Sequence, residues 1–243
     1  MTKLYRKSEI WFAVILIALY VVGASAADSV SGFIGPEKSA TVVFHAALSV
    51  IVFTWIAKNN FLEKYGLCRP FVKAERFLWF VPLAAMSTVN LWFGICMNMS
   101  TAETVFYVIS MVCVGFLEEI IFRGFLFRAM EKDGVRSAII VSSLTFGIGH
   151  IVNLFNGSDM GLTENLCQIA YAVAFGFLFV TIFYRGGSLI PCIACHSVIN
   201  ALSVFANEEA IQGKTNIVLS IGLCIASLAY TWVLCKRLPK KNG

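Results

Sequence analysis

Residues 104–128 read TVFYVISMVCVGFLEEIIFRGFLFR, a run that is apolar along nearly its whole length. A helix needs roughly 20 mainly apolar residues to cross the hydrocarbon core of a bilayer, so this run predicts a transmembrane helix. Other stretches of the chain have the same character and predict further spans. They cover about residues 9–27, 39–57, 76–96, 136–155, 165–184, 187–206 and 215–235. We therefore predict an all-α membrane bundle of eight transmembrane helices.

The composition also indicates a membrane protein. Of the 243 residues, 58% are hydrophobic and only 14% are charged, and the mean hydropathy is +0.79. A soluble domain has too little polar surface to cover so many apolar side chains. No low-complexity linker or internal repeat divides the chain, so we predict a single membrane-embedded domain over residues 1–243.

Basic residues gather at both chain ends and in every second predicted loop. Because Lys and Arg accumulate in the short cytoplasmic loops of membrane proteins, we predict that both termini are cytoplasmic. We expect a multi-pass protein of a bacterial plasma membrane. The net charge of +5 reflects this bias and does not indicate a nucleic-acid partner. The basic residues at the chain ends and in these loops are Lys3, Arg6, Lys7, Lys58, Lys64, Arg69, Lys73, Arg76, Arg128, Lys132, Arg136, Arg185, Lys236, Arg237, Lys240 and Lys241, whereas the intervening loops hold only Lys38 and Lys214.

The first span has a second interpretation. A basic start, an apolar run and the small residues Ala24-Ser25-Ala26 are also typical of a cleavable signal peptide. The apolar run is longer than the usual signal-peptide core of roughly 7–15 residues, which favours a retained span.

The predicted spans contain few strongly polar side chains, and those few are grouped. Ionisable groups are costly in a bilayer, so they usually face the bundle interior, where they pair or react. With a rise of about 1.5 Å per residue, the groups on spans four, five and seven fall near the middle of the membrane. We therefore predict that they form one site. They are Glu118, Glu119 and Arg123 in span four, His150 and Asn153 in span five, and His196 and Asn200 in span seven.

The two adjacent glutamates are expected to differ in role, because neighbours on a helix point about 100° apart. Glu119 and Arg123 have the spacing of an ion pair in the favourable acid-first order. Glu118 is then free to act with His150 on a water molecule, as a base that activates it for attack on a carbonyl.

His196 and Asn200 lie four residues apart on one helical face. They are candidate donors to the oxyanion of a tetrahedral intermediate. Taken singly, such residues often only hydrogen-bond between membrane helices. We expect that simpler role for His45 in span two, and we expect Asn153 to orient the site. The combination of these groups on three helices favours catalysis.

Three motifs in this region resemble those of the CAAX-protease/Abi family. They are Glu118-Glu119-x-x-x-Arg123, Phe146-x-x-x-His150 and His196-x-x-x-Asn200. The resemblance covers about residues 104–206, which we predict as the catalytic core. It implies an intramembrane endopeptidase related to the type II CAAX prenyl endopeptidase, the Ras-converting enzyme. Its substrate would be a membrane-associated or lipidated peptide or protein.

Two interpretations of the chemistry follow from the resemblance. The family is commonly labelled metalloprotease, and Glu118, His150 and His196 could hold zinc with one position open. The HExxH spacing is missing, however, and the family mechanism can be written with glutamate alone. We favour a site that requires no metal.

Two other functions also fit the residues. Intramembrane Glu, Arg and His mark the ion pathways of transporters and proton relays, although the repeats common in transporters are not apparent. A non-catalytic immunity or scaffold protein of the same family is the other alternative. For a protease, we expect the substrate to reach the site from the inner face or laterally from the lipid.

Overall fold

The computed structural model describes residues 1–71, 80–155 and 161–238. Within these ranges the chain is all-α, as predicted, apart from one isolated bridge between Ile95 and Ala206. A π-helical segment, Glu119–Phe127, joins α5 to α6, and 3-10 segments follow α4, α7 and α9 at Val89–Leu91, His150–Leu154 and Ser203–Phe205. The α-helices are α1 (Thr2–Lys7), α2 (Glu9–Ile34), α3 (Ser39–Lys58), α4 (Val81–Ser87), α5 (Thr101–Glu118), α6 (Arg128–Glu131), α7 (Val135–Gly149), α8 (Leu162–Gly186), α9 (Ile190–Leu202) and α10 (Lys214–Arg237).

Six helical stretches in the described residues are long and apolar enough to cross a membrane. Large apolar side chains project from their outer faces, for example Val22 and Trp232, which are 67% and 64% exposed. So much exposed apolar surface would be unfavourable in water and is favourable in lipid. The protein is therefore an integral membrane protein. The six stretches are Glu9–Ile34, Ser39–Lys58, Thr101–Glu131, Val135–Leu154, Leu162–Gly186 and Lys214–Arg237.

Two predicted spans are shorter in the structure. The predicted span over 187–206 contains α9 and a 3-10 turn. The predicted span over 76–96 begins outside the described residues, and its described part holds only α4 and another 3-10 turn. Gly94, at φ +106°, adopts a backbone conformation that does not continue a helix. A continuous helix over 80–96 was therefore a wrong prediction, and the count of eight crossings stays a prediction.

Phe71 and Cys96 nevertheless lie near opposite ends of α9. Near the start of α9, the amide of Phe71 donates to the carbonyl of Gly186, at 3.0 Å. Beyond the end of α9, the amide of Cys96 donates to the carbonyl of Phe205, at 2.9 Å. The segment that follows α4 is thus tied along α9, the helix that carries two of the predicted site residues.

A close approach of α5 and α9 sets the position of the site. At Gly115 a Cβ atom would lie 2.6 Å from the backbone nitrogen of Ser197, so only glycine lets the two helices come this near. Ser197 also donates to the carbonyl of Val112, at 3.1 Å. Because Gly115 precedes Glu118 by about one turn, and Ser197 follows His196, the contact brings carboxylate and imidazole together.

Candidate active site

The two glutamates stand where the helix changes its geometry. Glu118 is the last residue of α5 and Glu119 is the first of the π-helical segment. Glu119 is fully buried, whereas Glu118 is half-buried and lines a cavity. The two carboxylates thus face different surroundings, as the sequence predicted, although the sequence did not predict the π-helical geometry. Single π-helical turns occur often at functional sites.

Arg123 and Glu119 form a fully buried ion pair. The guanidinium donates to Glu119 Oε1 at 3.0 Å, and both side chains are 0% exposed. The guanidinium carbon also lies 3.9 Å from the centre of the Phe146 ring, a cation–π arrangement. Burying a lone charge is very costly, so each of these two residues depends on the other.

His196 lies between the two carboxylates. Its Nδ1 is 2.9 Å from Glu119 Oε1, and its Nε2 is 3.5 Å from Glu118 Oε2. Since a carboxylate oxygen of an ionised Glu119 can only accept, Nδ1 carries a proton in that contact. Glu119 therefore fixes the orientation of the imidazole and turns Nε2 towards Glu118.

His150 is held from two sides at the junction of α7 and its 3-10 turn. Its Nδ1 lies 3.2 Å from the carbonyl oxygen of Phe146 and must donate to it. In the neutral imidazole Nε2 is then the nitrogen that can accept a proton. The carbonyl of His150 accepts a hydrogen bond from the side chain of Asn165, at 2.8 Å. Asn165 is fully buried, so it anchors this turn to α8.

Phe146 packs against both histidines. The centre of its ring is 5.2 Å from that of His150 and 5.7 Å from that of His196, and both contacts are edge-to-face. The same ring covers the guanidinium of Arg123. The phenylalanine of the second motif therefore separates the buried ion pair from the open part of the site.

Tyr20 is a site residue that the sequence did not reveal. Its hydroxyl donates to Glu118 Oε1 at 2.7 Å, from a side chain that is 7% exposed. This bond engages one carboxylate oxygen and leaves Oε2 on the side of His196. The first long helix thus contributes directly to the site.

The four predicted catalytic residues line one cavity of about 580 Å³. Asn153 lines it too, and its side chain donates to Gln168 of α8 at 2.9 Å. His45 borders the cavity and is 2.8 Å from the hydroxyl of Ser110, which fits the interhelical bond expected of it. The catalytic candidates are Glu118, His150, His196 and Asn200.

The residues that might bind zinc do not form a metal-binding group. Among the described residues, no three side chains of His, Cys, Asp or Glu come together in an arrangement that could hold a metal ion. Glu118, His150 and His196 share a cavity, and Glu118 Oε2 lies 3.5 Å from His196 Nε2, but the hydrogen bonds of the three side chains run to Tyr20, Phe146 and Glu119 respectively.

Comparison with known proteins identifies the central part of the chain. Residues 100–202 match the model of the Rce1-like family, described as type II CAAX prenyl endopeptidase Rce1-like. Neither the curated proteins nor the solved structures gave a match. The matched range contains all three motifs and leaves Tyr20 outside. The resemblance read from the motifs is confirmed over this range: residues 100–202 of the chain match the Rce1-like family of type II CAAX prenyl endopeptidases.

Proposed function

We propose that this protein is an intramembrane endopeptidase that hydrolyses a peptide bond with a water molecule activated by glutamate. One observation carries the proposal. A cavity between membrane helices is lined by a half-buried carboxylate, two imidazoles and an amide, all from the region that matches a CAAX protease family. Their grouping supplies a base and oxyanion donors around a single space.

Glu118 and His150 are proposed to activate the water. Tyr20 holds one oxygen of the Glu118 carboxylate, so Oε2 is available to accept a proton from water. Nε2 of His150 is a second acceptor on the same cavity and would orient the attacking oxygen. The hydroxide equivalent adds to the peptide carbonyl, and Glu118 returns its proton to the leaving amine.

His196 and Asn200 are proposed to stabilise the oxyanion. The amide of Asn200 can donate to it, and His196 can donate from Nε2 when that nitrogen is protonated. Loss of one such donor typically costs about 10²–10³ in rate. Glu119 and Arg123 do not line the cavity, and we assign them to positioning, because the ion pair orients the imidazole of His196.

We favour a reaction without metal, since the proposed steps need only the side chains around the cavity. Carboxylate, imidazole and amide together supply the base, the proton return and the oxyanion donors.

The proposed topology has eight crossings and both termini on the cytoplasmic face of a bacterial plasma membrane. An even number of crossings agrees with the basic residues at both chain ends. The substrate class proposed is a membrane-associated or lipidated peptide, because the site lies inside an apolar helix bundle.

Cleavage by purified protein tests the proposal. Wild type and Glu118→Gln in detergent are incubated with a panel of lipidated and unlipidated peptides, and products are identified by mass spectrometry. Loss of a general base should slow cleavage about 10²–10⁴-fold. Glu208→Gln, which changes an exposed carboxylate, is the matched control and should cleave normally. Equal cleavage by Glu118→Gln and wild type would refute the assigned chemistry, and peptide binding without cleavage by wild type would indicate a scaffold.

A further inference from the structure

The chain has three histidines, and all of them line the cavity that holds the candidate active site. His150 and His196 belong to the motifs. His45 lies on α3, outside the range that matches the family model, and its side chain is only 3% exposed. A buried imidazole needs a hydrogen-bond partner for each ring nitrogen, because an unpaired polar group inside an apolar bundle is costly.

The hydrogen bond between His45 and Ser110 determines where the proton of the neutral imidazole lies. Nδ1 of His45 is 2.8 Å from the hydroxyl oxygen of Ser110, which is fully buried. Among the residues that the structure describes, this hydroxyl has no other hydrogen-bond partner. If Nδ1 donated to it, the hydroxyl proton and the lone pair of Nε2 would both be unpaired. If the hydroxyl donates to Nδ1, the only unpaired group is the N–H at Nε2, so this arrangement is favoured.

His45 therefore has the opposite tautomer to the two histidines of the motifs. Nδ1 of His150 donates to the carbonyl of Phe146, and Nδ1 of His196 donates to Glu119. In the neutral state Nε2 of each of these two imidazoles is an acceptor. Of the three histidines at the cavity, His45 is thus the one that has an N–H donor at Nε2 without gaining a proton.

Nε2 of His45 has no acceptor within the described part of the chain. Two carboxylates line the cavity there, and each bonds another side chain. Glu118 accepts from Tyr20 at 2.7 Å, and Asp28 accepts from Lys38 at 2.9 Å. Neither carboxylate accepts from Nε2. Because a buried donor without an acceptor is unfavourable, an acceptor on a molecule bound in the cavity would stabilise this N–H.

We propose that His45 binds the substrate by donating from Nε2 to a carbonyl oxygen of the peptide backbone. This inference rests on the proposed function, which places a peptide in the cavity. Backbone carbonyls are acceptors that every peptide offers. The centre of the His45 ring is 5.8 Å from that of Tyr20, whose hydroxyl bonds Glu118. Since the Tyr20 side chain links His45 to the catalytic carboxylate, the carbonyl bound by His45 is a neighbour of the one that water attacks.

Nitrogen NMR tests the tautomer without any substrate. Detergent-purified protein labelled with ¹⁵N at histidine gives ring signals from three imidazoles, and the signals that disappear in His45→Gln belong to His45. We expect wild-type His45 to show a protonated Nε2 and an unprotonated Nδ1. Ser110→Ala removes the hydroxyl donor, so its His45 should show a mixture of the two tautomers. A protonated Nδ1 on wild-type His45 would overturn the proposal.

Kinetics with a peptide that wild type cleaves test the contact itself. His45→Phe keeps an aromatic ring but has no nitrogen. Loss of one neutral hydrogen bond should raise KM about 2- to 12-fold. We expect kcat to stay within about twofold, because the bond is made equally in the ground state and the transition state. His45→Gln, whose amide can donate, should recover part of the affinity. Val50→Ala, 65% exposed on the same helix, is the matched control and should leave KM unchanged.

The outcomes separate this proposal from the proposed function. Normal cleavage with an unchanged KM in His45→Phe would overturn the role of His45 and leave the endopeptidase intact. A fall in kcat as large as the fall in kcat/KM would also overturn it. If wild type cleaves no peptide of the panel, the proposed function fails, and the same peptides are added to the labelled wild-type protein. A change in the Nε2 signal of His45 would then support the contact, and no change with any peptide would overturn it.

Discussion

Replacing Arg123 with methionine is expected to destabilise the protein strongly. The substitution keeps an unbranched apolar stem but leaves the carboxylate of Glu119 at 0% exposure without its 3.0 Å partner. It also removes the cation from the face of Phe146. Breaking a buried pair on one side typically costs about 3–5 kcal/mol. At about 2–4 °C per kcal/mol for a chain of this size, the apparent Tm should fall by roughly 6–20 °C.

Thermal unfolding of detergent-purified protein, followed by tryptophan fluorescence, measures this effect. Lys38→Met is the matched control, because the pair of Lys38 with Asp28 is 22% and 30% exposed. Exposed pairs contribute about 0–1 kcal/mol, so its Tm should move by at most about 4 °C. The double variant with Glu119→Gln and Arg123→Met should regain part of the loss, since no charge is left buried. A Tm for Arg123→Met no lower than that of Lys38→Met would refute the reasoning.

Three further predictions concern the site. Tyr20→Phe removes a hydrogen bond to a carboxylate, which is worth about 1.5–3 kcal/mol, so kcat/KM should fall about 10- to 150-fold. In the control Tyr107→Phe, which loses a bond to a serine hydroxyl at the same cavity, kcat/KM should fall less. Equal losses of kcat/KM in the two variants would contradict the role of Tyr20. Gly115→Ala places a Cβ 2.6 Å from a backbone nitrogen of α9 and should abolish cleavage and lower Tm. Gly222→Ala is the control, because its added Cβ would meet no atom within 4 Å, and it should change neither cleavage nor Tm. Cleavage should persist in a zinc chelator, and activity that returns to stripped protein only with zinc would show that a metal is required.

Several features of the fold were predictable because they depend on local sequence. The long apolar runs predict membrane helices wherever they are long enough to cross the hydrocarbon core of the bilayer, and six such helices are present in the described residues. The prediction of a continuous helix over 80–96 failed because hydropathy does not register a glycine at positive φ or polar side chains that bond a neighbouring helix. Asn90, for example, donates to the carbonyl of Ile199 at 2.6 Å.

The grouping of the polar residues was also predictable, because a bilayer makes exposed charge costly and leaves few places for it. The pair of Glu119 and Arg123 follows from spacing alone. The hydrogen bond from Tyr20 to Glu118 does not follow from spacing, although Tyr20 lies about 17 Å from the start of α2, a depth that agrees with that of the site. Tyrosine in an apolar run is read as apolar, and the motifs lie elsewhere in the chain.

The sequence by itself determined that the chain is a membrane helix bundle and which residues form the polar group within it, because both follow from the cost of burying charge and exposing apolar surface. Only the tertiary structure decided that His196 lies between two carboxylates and that Tyr20 bonds Glu118 from 98 residues away. Those features depend on how closely helices approach, as α5 and α9 do at Gly115, and helix packing is not encoded in any local pattern.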